Sequence, residues 1–275
     1  MRQKIRYTIN VSKLNVYNFT IFDNYKKEGF SYLWDELNGK KGSNEIGTSL
    51  YEYLRGLPSH VTHVSTFSDT CGGQNRNRNI AAAMIYAVSM IENIQTIDVK
   101  FMESGHSYLD ADSMHARIEE CRKHRRIYTT REYALVIENA RIKPKPYCVR
   151  CMEYSQFYDW KAMSKSVLKN VNTAGCDTST DDPKKVRTVE WLKIKWLRFE
   201  KSRSGIIQFK YDLNAKDFFF FDVTYSHGAT TRTSPSTNSN FTLPPCSART
   251  NQKYRFRIKK KEGFVRFVES SNHTY

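Results

Sequence analysis

"HVSTFSDTCGGQNRN", residues 63–77, decides how this chain is read. A run of β-branched and aromatic residues predicts a strand that ends at Asp69. Two glycines follow, then amides alternating with arginines. Asp and Gly are common turn formers, so a plain turn accounts for the stretch. A second reading gives Asp69 to a divalent metal ion and turns the cationic loop toward a phosphate backbone, with Gln74, Asn75, Arg76 and Arg78 as contacts. The next segment, "NIAAAMIYAVSMIENI" (79–94), is apolar on nearly every side. That predicts a helix buried on more than one face.

Working outward, "LNVYNFTIF" (14–22) reads as a strand, "NYKKEG" (24–29) as a turn and "FSYLWDE" (30–36) as the antiparallel partner. Glycine and serine in "GKKGSNE" (39–45) break the pattern. A helix over 44–55 is predicted from Ile46, Leu50 and Leu54 at four-residue spacing. Ser43 cannot form a capping box with Ile46, which stands where an acidic or amide side chain is needed. Downstream, "IDVKFMES" (97–104) reads as a strand and "DSMHARIEECRKH" (112–124) as an amphipathic helix with a basic last turn. The order β–β–α–β–α–β–α is that of an α/β fold with a mixed sheet flanked by helices.

From about residue 140 the pattern changes. "RIKPKPY" (141–147) reads as a linker. Residues 150–225 carry three of the chain's four tryptophans. Two predicted helices and the aromatic strands "IIQFKY" (206–211) and "DFFFFDV" (217–223) make this a smaller α+β lobe. "SHGATTRTSPSTNSN" (226–240) and the basic, aromatic "KYRFRIKKKEGFVRF" (253–267) read as a flexible basic tail. The expected division is therefore a core over 1–140, a lobe over 141–225 and a tail over 226–275.

The chain carries 44 basic and 28 acidic residues in 275, a net charge of +16. An excess that large points to an acidic partner, with DNA the expected one and a solubility role the alternative. No signal-peptide h-region and no run of ~20 apolar residues is present, so neither secretion nor a membrane partner is expected. The expected setting is intracellular, and nuclear for a DNA partner. Six cysteines in such a protein read as thiols or metal ligands.

Two constellations have the residue types for chemistry. In "ESGHSYLDADSMHARIEE" (103–120), a helix starting near Asp112 places Asp112, His115 and Glu119 along one face, at i, i+3 and i+7. Met114, Ile118 and Cys121 line another face and should pack on the sheet. Mg²⁺ or Mn²⁺ takes a few carboxylates from different elements and leaves positions for water and phosphate, as Asp69 with Asp112 or Glu119 would allow. Equally, Asp112 suits a helix N-cap and Glu119 a solvated face. The second constellation, Cys121-x-x-His124 with Cys148-x-x-Cys151, has the spacing of a Zn²⁺ knuckle. No P-loop lysine follows the glycines, and no Gly-x-Ser-x-Gly elbow occurs.

The stretches "LNVYNFTIFD", "YLWDELNGKKGSNEI", "FSDTCGGQNRN" and "ESGHSYLDADSMHARIEE" together resemble a family of mobile-element-derived proteins that looks like a divergent RNase H-like (DDE-type) transposase or integrase core. The resemblance covers roughly residues 13–120, with a fainter echo in "MEYSQFYDW" and "WLKIKW". It implies an RNase H-like mixed sheet, DNA as partner, and metal-dependent phosphodiester cleavage and strand transfer. Asp69 matches the second acidic position and Asp112 the later one, with Glu119 in reserve. The first acidic position, on an opening strand, has no match: no aspartate precedes Asp23, and Asp35 sits on the wrong strand. The chain is therefore expected to lack that strand and, as truncated, to be inactive. An unpaired sheet edge, and homo-oligomerisation through it, would follow.

Overall fold

The computed structural model describes residues 14–69, 76–102, 110–168, 173–176, 187–223 and 243–249. It is a mixed α/β protein with two sheets and five α-helices among these residues. The chain divides into two compact units, each discontinuous in sequence.

The first unit takes Met1–Lys40, Asp110–Ser155 and Thr250–Tyr275. Its hairpin pairs β1 (Val16–Asp23) with β2 (Glu28–Asp35) in an antiparallel register running from Val16 opposite Asp35 to Asp23 opposite Glu28. The Asp23 carboxylate caps the turn by accepting from the Tyr25 and Lys26 amides, and Lys27 completes it at φ 55°. Asp35 likewise accepts from the Leu37 and Asn38 amides. Both aspartates thus hold chain reversals at strand ends. β5 (Cys148–Cys151) adds parallel to β2. Helices α3 (Asp110–Arg122) and α4 (Thr130–Asn139) pack on this sheet around Val16, Leu33, Met114, Ile118, Tyr133, Ile137 and Tyr147. Gly29 is required there: a Cβ would come within 2.6 Å of the Tyr147 ring and 2.7 Å of the Met114 sulfur.

The second unit takes Lys41–Leu109 and Gln156–Arg249. Its elements are α1 (Ser43–Arg55), β3 (His63–Ser68), α2 (Arg78–Met90), β4 (Thr96–Phe101), α5 (Trp160–Val167), β6 (Thr173–Cys176), β7 (Arg187–Thr188), β8 (Trp196–Glu200), β9 (Ile206–Lys210) and β10 (Phe219–Asp222). They build one sheet in the order β3-β4-β8-β9-β10-β6-β7, with β3 and β4 parallel and the remaining neighbours antiparallel. Strands from the stretch expected to form a separate lobe therefore continue the sheet that β3 and β4 begin. α2 explains its own composition: Ala81, Ala82, Ala83, Met84 and Ile85 are all buried where it meets β4, β8, α1 and α5. At the α1 crossing, a Cβ on Gly47 would meet the Trp160 ring at 2.8 Å. Trp160 is fully buried and donates its indole N–H to Thr48 Oγ1.

The order β1–β2–α1–β3–α2–β4–α3 follows the sequence expectation, with α3 starting two residues earlier than Asp112. α1 starts after Gly42 with no side-chain cap, as the missing capping box implied. α4 was not anticipated, although Thr129 and Glu132 form a complete capping box at its start.

Candidate nucleic-acid interface

Alternation along β3, β4, β8 and β9 sorts their residues onto two faces. On one face, Val64, Ile97, Phe199 and Ile207 stand in register, and so do Thr66, Val99, Leu197 and Phe209. Ile97, Phe199, Ile207, Leu197 and Phe209 are at most 1% exposed. This is the core face, on which α2 lies.

The opposite face is cationic and aromatic. Phe67, Lys100, Trp196 and Lys210 form one cross-strand row, and Ser65, Asp98, Arg198 and Gln208 form the next. Asp98 is 1% exposed and is surrounded by donors. Arg198 donates Nε to Oδ1 at 2.8 Å and Nη2 to Oδ2 at 3.0 Å, Trp196 donates Nε1 to Oδ1 at 2.8 Å, and His63 Nε2 lies 2.8 Å from Oδ2. Burial alone would raise this carboxyl, but the hydrogen bonds from Arg198, Trp196 and His63 outweigh it and hold it below the usual carboxylate range. The hydrogen bond to Asp98 in turn raises Arg198.

The lysines are held by rings. Lys100 Nζ is 4.2 Å from the Trp196 ring centre and 5.2 Å from that of Phe67. Lys210 Nζ is 4.2 Å from the Phe218 ring and 4.9 Å from Trp196, and donates to the Ala215 and Lys216 carbonyls. Burial first, and then the nearby Arg198 charge, lower Lys210 below the usual lysine range. Arg198 thus pairs with the buried carboxylate, while Lys100 and Lys210 flank the Trp196 ring. Lys210 is itself buried, Lys100 and Arg198 are the partly exposed cations, and fixed positive charge of that kind suits phosphate.

The residues singled out from sequence are placed as follows. Asp69 directly follows β3 and is half-buried, its carbonyl accepting from Ser68 Oγ. Arg76 lies over the Phe101 ring at 5.9 Å and donates to the Ile194 carbonyl, and burial lowers its pKa. Arg78 lies over the Trp191 ring at 5.7 Å. Gln74 and Asn75 lie outside the described residues. In the first unit, His115 Nε2 lies 2.8 Å from Thr20 Oγ1, Glu119 pairs with Arg122 one turn on, and Asp112 is half-buried in the first turn of α3. Met114 and Ile118 are buried and Cys121 packs beside them, as the helical spacing implied. Cys148 and Cys151 stand three residues apart in a strand, which directs them to opposite faces of the sheet. His124 follows α3 in an exposed turn. Among the described residues, no three His, Cys, Asp or Glu side chains gather as an ion would require. No helix among them is long and apolar enough to cross a membrane.

Sequence reasoning missed Lys100, Trp196, Arg198 and Lys210. A signal was present in "IDVKF" and "WLRFE", where charged residues alternate with apolar ones as a two-faced strand requires.

Fold and face together define a basic, mixed α/β protein with one sheet face built of paired cations and rings. The chain belongs to the family described as Domain of unknown function (DUF7869), which matches residues 12–179. Phe67, Asp98 and Lys100 lie within the matched segment, while Trp196, Arg198 and Lys210 lie beyond it. No curated protein and no solved structure matches the chain.

Proposed function

We propose that the protein is a mobile-element-derived, RNase H-like domain that binds nucleic acid through the cationic face of β4 and β8. The observation that carries this reading is the clustering of Lys100 over the Trp196 ring beside the Arg198–Asp98 pair, on strands 100 residues apart in sequence. A lone surface lysine is a solubility device, whereas cations fixed by rings and by a buried carboxylate are an oriented surface. The net charge of +16 supports nucleic-acid binding. Metal-dependent phosphodiester cleavage through Asp69, Asp112 and Glu119 would be its catalytic extension. The described residues gather no such donor set.

The test is anisotropy of a labelled, mixed-sequence oligonucleotide titrated with the full chain between about 50 and 200 mM salt. Affinity is expected to fall linearly on a log–log plot, and Lys100→Gln is expected to make the slope shallower by about 0.7–0.9, one phosphate contact. Absence of binding at low salt would refute the function. An unchanged slope in Lys100→Gln would move the contact surface elsewhere.

A further inference from the structure

Resting on that reading, we infer that the face selects single-stranded over duplex nucleic acid, with Phe67 as a stacking platform for an unpaired base beside the Lys100 cation. Phe67 is 49% exposed on β3, the terminal strand of its sheet, and follows an alternation in which His63 and Ser65 also face outward. A half-exposed phenylalanine gains nothing from folding on its outer side. Its neighbour across the strand pair is Lys100, whose ammonium lies 5.2 Å from the ring centre.

The ammonium thus lies over the ring, and the exposed part of Phe67 offers a π-surface next to that charge. Duplex DNA presents phosphates and sugars to a flat sheet and keeps its base faces stacked inside, so it can use the cation but not the ring. A single strand offers both a phosphate and an unstacked base, and stacking of a base on an aromatic side chain tolerates any sequence. The neighbouring rings have other work. Trp196 lies beneath Lys100 and Lys210 and donates to Asp98, and Phe218 lies against Lys210 and Arg198. Those rings order the cations, which leaves Phe67 as the ring with a broad face to solvent. Neighbouring strands are about 4.8 Å apart, so the row from Phe67 through Lys100 to Trp196 spans roughly 10 Å, room for a base and its neighbouring phosphate.

The experiment compares a mixed-sequence single strand of about 12 nucleotides, within the site sizes of stacking platforms, with the corresponding duplex at one fixed salt concentration. The proteins are wild type, Phe67→Ala and Phe67→Trp, each checked for an unchanged thermal transition. Wild type is expected to prefer the single strand. Phe67→Ala should lose single-strand affinity by about tenfold, with duplex affinity and salt slope unchanged, and Phe67→Trp should restore the preference. Equal affinity of wild type for both forms, or a loss in Phe67→Ala that is equal on both, overturns the inference while leaving nucleic-acid binding in place. Failure of wild type to bind either form overturns both.

Discussion

The two faces of the second unit's sheet are made by the same strands, residue by residue in alternation, yet they are held by different physics. On the core face, Ile97, Leu197, Phe199, Ile207 and Phe209 need only shape and the absence of water. On the other face, Asp98 is just as deeply buried, but its burial is tolerated only because four hydrogen bonds from three side chains converge on it. The first kind of face tolerates conservative exchange, since a methyl group more or less changes a packing term. The second does not, because removing one partner leaves the others buried and unmatched.

The largest effect is expected on the apolar side. Phe199→Ala empties a fully buried ring site between Ile97 and Ile207 and should cost about 3–5 kcal/mol in urea unfolding. At a temperature where the variant remains folded, nucleic-acid affinity should be unchanged. Asp98→Asn comes next, at about 3 kcal/mol, because Arg198 is left half-buried without its counter-charge. Unlike Phe199→Ala it should also disturb binding, since Arg198 and Trp196 lose the group that orients them. Should both variants change stability and binding in the same proportion, the two faces would not be separable.

Acid sharpens the contrast. The folded pKa of Asp98 is depressed below its unfolded value of about 3.9. Its contribution to stability is therefore complete above about pH 4 and is lost as the pH falls toward the native pKa. Urea midpoints at about pH 5 and about pH 3 should show a smaller acid loss in Asp98→Asn than in wild type. An identical loss in both would mean that the network does not hold the carboxylate charged.

Much of the fold was legible in residue order because local patterns specify it. The all-round apolar run that starts at Asn79 forms the buried helix α2, which ends at Met90 rather than at 94, and Met114, Ile118 and Cys121 turn inward at helical spacing. α4 was missed although Thr129 and Glu132 carry its start signal, because the basic stretch before it hides the apolar Tyr133, Val136 and Ile137. The candidate face was not legible as a site. Asp98 and Lys100 look like ordinary outward residues of "IDVKF", and the partners that make them a network, Trp196, Arg198 and Lys210, lie about 100 residues on. Only the pairing of β4 with β8 brings them together. Conversely, the acidic stripe of α3 was visible from spacing, yet spacing says nothing of what each carboxylate touches.

That stripe supplies the smallest expected effect. Glu119 is a carboxylate like Asp98, but its side chain is 49% exposed and its partner Arg122 is its own helix neighbour. An exposed i,i+3 pair contributes at most about 0.5 kcal/mol, so Glu119→Gln should leave the urea midpoint almost unmoved. An ion ligand behaves otherwise, because a carboxylate on a cation contributes binding energy out of proportion to its role in folding. Titration of Mn²⁺ into wild type and Glu119→Gln therefore separates the two roles. Equal titrations are expected for a helix-surface pair, with Asp98 the carboxylate whose loss costs the fold more. Saturable binding that disappears in Glu119→Gln would instead make Glu119 an ion ligand, and would turn the contrast with Asp98 into one between a binding carboxylate and a structural one.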